Sequence, residues 1–244
     1  GRPHAYAHDM GREEIQAILG WKKQYGVEIS MFTPEILAYP YSLTSSMEKE
    51  RRETIEYLLE SVETAARLGT DKMQITAKHP GYGVKRETVW GYLEEGTSIL
   101  CRRAGELGVD IILESLSPSE GNTITCVDDI LELQERVNSP ALCAMIDMVP
   151  PFIANEPYSD YLERLGTSMK YVHICNGDGT TEFHMQLDDR NGVIPVADFF
   201  RILKRYGYDG WCSLELLNPY FRDPELYLSE AQRCIRRIRQ ELEL

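Results

Sequence analysis

Two hydrophobic periods take turns along this chain. Ile15, Ile18, Leu19 and Trp21 fall at helical spacing and predict a helix over 12–25 that stops at Gly26; the apolar residues of 27–32 then predict a strand. A long helix over 46–68 ends at Gly69, where a left-handed cap costs glycine least, and a strand follows over 72–76. The same alternation repeats through a helix over 86–107 stopped by Gly108, a strand over 109–114, a helix over 128–137 ended by Asn138, Ser139 and Pro140, and a strand over 142–147. Beyond Pro150 and Pro151, a helix over 158–165 leads to a strand over 171–174, a helix over 196–206 leads to a strand over 211–215, and a helix over 223–242 carries Leu226, Ala231, Cys234, Ile235, Ile238 and Leu242 on its apolar stripe.

Six strands separated by helices make an α/β chain with a parallel sheet and helical crossovers. A (β/α)₈ TIM barrel has eight strands, so this reading places the first strand, first helix and second strand before Gly1, with residues 1–10 as the loop after the second strand. A six-stranded open sheet is the competing architecture. The 244 residues, 43% of them hydrophobic, suffice for one domain spanning 1–244.

Composition narrows the partners. A formal charge of -13 with no basic run repels a phosphate backbone, so no nucleic acid is expected. No apolar run approaches the ~18 residues of a membrane span, so no membrane partner is expected. The six cysteines show no C-x-x-C spacing and mostly sit within apolar elements, which points to a reduced, cytoplasmic setting. A small-molecule ligand fits best, and a homo-oligomer stays open.

The chemistry sits where the strands end. Four of the apolar strands carry a polar residue near their C-terminal ends: Glu114, Asp147, His173 and Glu215. One strand-end acid is ordinarily just solvated, but alternation places these four on the side facing a barrel mouth, where barrel enzymes do their chemistry. Three carboxylates packed together repel one another unless a cation joins them. Three oxygen donors and one imidazole suit a hard to borderline divalent ion such as Mn²⁺, Mg²⁺ or Co²⁺, and four protein ligands leave room for two adjacent substrate oxygens. Such an ion would acidify the proton beside a ketone, with Glu114 and Glu215 as an acid/base pair on opposite faces or as ligands only.

The chain also resembles a known family. GRPHAYAHDM, FTPE with YPYSL, AKHPGYG, TVWGYLEE, ILESLSPSEGN, MIDM, YVHICNGDG and YDGWCSLEL are similar to stretches of the xylose-isomerase-like sugar isomerases and epimerases, and within them of the ketose 3-epimerases, including those acting on fructoselysine. The resemblance implies a divalent-metal-dependent 3-epimerase of a ketosamine or ketose working through a metal-bound enediolate, with manganese the leading ion. It implies Glu114, Asp147, His173 and Glu215 as ligands, Glu114 and Glu215 as catalytic acid/bases, and Glu120, His79, Trp90 and His184 as substrate-binding or pocket residues. Pro150 and Gly179 stand where many ketose 3-epimerases carry a substrate-binding His and Arg, which points to a substituted ketose. Two other readings remain: an elimination on the same barrel, such as dehydration or cleavage of a 3-keto glycoside, and a metal-free sugar-binding subunit.

Overall fold

A computed structural model of the chain describes residues 1–217 and 224–243, which divide into two compact units, Gly1–Ala144 and Met145–Leu244. In the first, α1 (Arg12–Tyr25), α2 (Glu48–Leu68), β1 (Lys72–Thr76), α3 (Arg86–Leu107), β2 (Asp110–Glu114) and α4 (Val127–Val137) follow in chain order. The first half of β3 (Leu142–Asp147) completes it. β1 pairs with β2 in parallel, from Lys72 opposite Asp110 to Thr76 opposite Glu114, and β2 pairs with β3 from Ile111 opposite Leu142 to Leu113 opposite Ala144. Met73, Ile75, Ile111, Ile112 and Leu113 are fully buried, as parallel strands covered on both faces require.

The helix ends follow the glycines. At Gly69 (φ 75°) the next amide, Thr70, donates to Ala65 at 3.2 Å, and at Gly108 (φ 67°) Val109 donates to Ala104 at 2.9 Å. These six-to-one bonds turn each helix sharply into its strand.

The strand expected over 27–32 does not form. Phe32 alone bridges to Met73, its N–H donating to the Lys72 carbonyl at 2.9 Å. Val27 and Glu28 are exposed and residues 29–31 only half-buried, so Phe32 is the one side chain of the run that holds to the core. The sheet strands among the described residues therefore number five. Trp21, expected on the apolar face of α1, is exposed; Ile15 anchors that helix.

The second unit runs from the end of β3 through α5 (Val149–Ile153), α6 (Tyr158–Leu165), β4 (Met169–Ile174), α7 (Val196–Arg205), β5 (Trp211–Leu214) and α8 (Pro224–Leu242). Sequence periodicity missed α5, because Pro150 and Pro151 read as breakers. Both lie in its first turn, where no amide is needed. β4 and β5 are parallel, from Tyr171 opposite Trp211 to Ile174 opposite Leu214. β5 is less covered than its sequence suggested, with Trp211 exposed. On α8 the buried stripe is Tyr227, Ala231, Cys234 and Ile238, while Leu226 faces solvent, so the larger Tyr227 ring takes the place expected for its neighbour.

Between β4 and α7 the chain is tied down by one side chain. Asn176 pairs its backbone with Met185, in an antiparallel bridge. Its Oδ1 accepts from the amides of Gly177 and Ile194, both at 2.9 Å, and its Nδ2 donates to the Leu187 carbonyl at 3.2 Å. Gly192 is required beside it, since a Cβ there would fall 2.3 Å from the Asn176 side chain. Replacing Asn176 by Ala strands two buried amides, and unfolding in urea is expected to show a loss of about 1–3 kcal/mol for each.

Candidate metal centre

Three strand ends build the centre of the second unit. β3 ends on Asp147, whose Oδ1 accepts the Val149 amide at 2.7 Å in an Asx-type turn that starts α5. This fixes the carboxylate and leaves Oδ2 facing two imidazoles, at 3.6 Å from His173 Nδ1 and 3.1 Å from His184 Nε2. β4 supplies His173 one residue before its end. Glu215 follows β5, and its amide donates to the Ile174 carbonyl at 3.2 Å. Its Oε2 lies 2.6 Å from His173 Nδ1 and 3.8 Å from His184 Nε2.

Asp147, His173 and Glu215 thus offer ligand atoms within 4.8 Å of one another, and Asp147, Cys175 and His184 form a second such group. Asp147 is 2% exposed and His184 6%, whereas the Glu215 side chain, at 35%, marks the open side. Oxygen and imidazole donors gathered in this way fit a divalent ion of hard to borderline character. Sequence reasoning did not foresee Cys175, which looks like one more apolar strand residue; its Sγ stands 3.9 Å from Asp147 Oδ1.

Burial opposes charge here, and partners overrule it unevenly. Burial alone would raise the Asp147 carboxyl, but hydrogen bonds from His173 and His184 hold it well below the usual carboxylate range. Burial pulls His184 down, yet its bond to Asp147 and the charges of Asp147, Glu215 and Glu182 push it up to about 9. For Cys175 both effects act in one direction: burial and the charges of Asp147, Glu215 and Glu182 raise the thiol, so it stays protonated at neutral pH.

The other expected site residues lie in the first unit. Glu114 closes β2, buried, and its Oε2 accepts from Gln74 Nε2 at 2.5 Å; Gln74 in turn accepts from Thr33 Oγ1 at 3.0 Å. Gln74 was not singled out from the sequence, although an amide in the middle of an apolar strand is a usable signal. The amide of Glu120 donates to the Ser117 carbonyl at 3.0 Å in the turn after β2. His79 Nδ1 accepts from the Gly81 amide at 2.9 Å, with the Tyr82 ring tilted 5.1 Å away. Trp90 is 1% exposed in α3, with the guanidinium groups of Arg86 and Arg136 over its ring at 4.5 and 5.2 Å, a packed core position.

Comparison with known proteins agrees with this arrangement of strands and helices. A family model described as xylose isomerase-like TIM barrel matches residues 1–238. A fructoselysine 3-epimerase of Escherichia coli O157:H7 is 33% identical over 231 residues, covering 95% of this chain and 83% of that protein. Among solved structures, a D-tagatose 3-epimerase-like protein superposes with a TM-score of 0.83 at 19% identity, over 96% of this chain and 85% of the other. D-psicose 3-epimerase from Clostridium cellulolyticum H10, bound to D-tagatose, gives 0.80 at 16% identity, over 96% and 85%.

The charge pattern sets a pH dependence for the metal-free protein. His184 titrates higher folded than its ordinary 6.5, so its contribution to stability is complete below about 6.5 and lost as pH rises through about 9. Asp147 titrates lower folded than its ordinary 3.8, so its contribution is complete above about 3.8 and lost on acidification. Thermal unfolding in chelator is expected to show Tm falling between these alkaline limits, and His184→Gln to flatten that limb.

Proposed function

The chain belongs to the xylose isomerase-like TIM barrel family and is an isomerase of the epimerase kind, and from that premise we propose that it is a divalent-metal-dependent 3-epimerase of a ketosamine of the fructoselysine and psicoselysine type. The observation that carries the proposal is the meeting of buried Asp147 and His173 with half-buried Glu215 in a chain one-third identical to a fructoselysine 3-epimerase. Glu114 is proposed as the fourth ligand. It closes β2 as Asp147 closes β3, and the two strands run parallel with Leu113 opposite Ala144. Manganese is the proposed ion, with magnesium or cobalt as substitutes that the same donors accept.

A divalent ion held by these residues would supply a Lewis acid for the C2 carbonyl and so make the C3 proton more acidic. The protein residues divide the remaining work. Asp147, locked by the Val149 amide, cannot swing away when a substrate enters. Glu215, the most open of the donors and held by His173 at 2.6 Å, is placed to take or return the proton at C3. Inversion needs a second group on the opposite face of the planar enediolate, and Glu114 is the proposed partner. Glu120, His79 and His184 are proposed as substrate contacts.

No helix of the described residues is long and apolar enough to cross a membrane. The proposed substrate is a small sugar derivative, with no nucleic-acid partner.

Metal and proton transfer separate experimentally. Asp147→Ala is expected to abolish stoichiometric manganese in the purified protein, and full metal content in that variant would relocate the centre. Glu215→Gln, which keeps a carbonyl oxygen but no base, should lower the turnover of fructoselysine by ~10² to 10⁴-fold. In D₂O, fructoselysine and psicoselysine are expected to gain deuterium at C3 at unchanged carbon skeleton. Loss of water or of the amine instead would identify an elimination.

A further inference from the structure

One buried side chain of β1 has no packing reason to be polar. The strand alternates Lys72, Gln74 and Thr76 with Met73 and Ile75, and all five are buried. Gln74 is only 5% exposed, and an apolar side chain of its length fills the same space without an amide to desolvate. Yet both ends of the amide are used: its Nε2 donates to Glu114 Oε2, and its Oε1 accepts from the Thr33 hydroxyl. Thr76 stands opposite Glu114 across the parallel pair, so Gln74, two residues earlier on the same face, reaches along the strand to that carboxylate.

The amide is not free to turn, because Thr33 is itself held. Phe32 is bound to β1 on both sides of Met73, its N–H donating to the Lys72 carbonyl at 2.9 Å and its carbonyl accepting the Gln74 amide at 3.0 Å. Thr33, the next residue, therefore starts beside Gln74. Pro34 after it disfavours a helical backbone at Thr33, and a β-branched side chain is stiff about its first bond. The hydroxyl so placed engages Oε1 and keeps the Nε2 hydrogens turned to Glu114. The bridge at Phe32, where a strand over 27–32 was expected, thus aims one hydroxyl at one amide.

We propose that Gln74 is the positioning residue of Glu114: pinned by Thr33, it fixes the rotation of the Glu114 carboxylate and presents it to the divalent ion in one orientation. This rests on the reading of Glu114 as the fourth metal ligand and names the residues that aim it. A carboxylate oriented beforehand loses less freedom when the ion binds, and hydrogen bonds behind metal ligands orient them in this way.

Calorimetric titration of the chelator-stripped protein with manganese tests the role. Gln74→Met keeps the length of the side chain and removes both hydrogen bonds, and it is expected to weaken manganese binding about 10- to 100-fold, the range for losing a partner behind a ligand. Thr33→Val, which leaves β1 untouched, should weaken binding by less, and Thr33→Ser, which keeps the hydroxyl, should bind as the wild type does. In a Glu114→Ala background Gln74→Met should change manganese affinity no further, because an effect exerted through Glu114 disappears with it, whereas a merely structural effect persists. Wild-type affinity in a folded Gln74→Met, an equal loss with and without Glu114, or wild-type affinity in Thr33→Val where Gln74→Met does not fold, each overturns the proposal. The ligand reading is tested apart from it by Glu114→Ala alone: weakened binding there with none in Gln74→Met removes the positioning role and keeps the ligand, whereas unchanged binding in Glu114→Ala removes both.

Discussion

A carboxylate with almost no exposure has to be held by something, and at Asp147 two different things hold it. One oxygen takes the Val149 amide and so begins a helix; the other faces the imidazoles of His173 and His184. Taking such a charge out of water is expensive without partners that complete its hydrogen bonding. The end of β3, the start of α5 and the placement of both histidines are therefore one solution to one desolvation problem. The open chemistry of Glu215 is added at the rim of that solution.

Much of this was legible in the sequence because it rests on period and punctuation. β1, β3, α3 and α6 occupy the stretches that the apolar spacing marked out, and Gly69 and Gly108 end their helices as left-handed caps. Asp147, His173 and Glu215 could be picked out because an acid or imidazole at the tip of an apolar strand breaks the local pattern. The errors have equally local causes. A strand over 27–32 was inferred from side chains of which only Phe32 finds the core, α5 was hidden by prolines that fit its first turn, and Leu226 lost its place on α8 to an aromatic neighbour.

What the sequence could not convey is the geometry of the segment between β4 and α7. It has no hydrophobic period, and its course depends on Asn176, whose backbone and side chain together hold positions 177, 185, 187 and 194. Loops carry function when a rigid scaffold aims them. Here the aiming device is a single amide, and His184 is one residue from the bridge it makes. Cys175, immediately before Asn176, reaches Asp147 for the same reason.

That placement of Cys175 bears on which ions the protein tolerates. Asp147 belongs at once to an oxygen-rich set with His173 and Glu215 and to a sulfur-containing set with Cys175 and His184. Thiophilic ions such as cadmium or zinc prefer the second, but they bind a thiolate, and burial, with the charges of Asp147, Glu215 and Glu182 added to it, holds this thiol well above its ordinary range. Taking a soft ion into the sulfur-containing set thus carries the added cost of removing that proton, a cost the oxygen-rich set does not have.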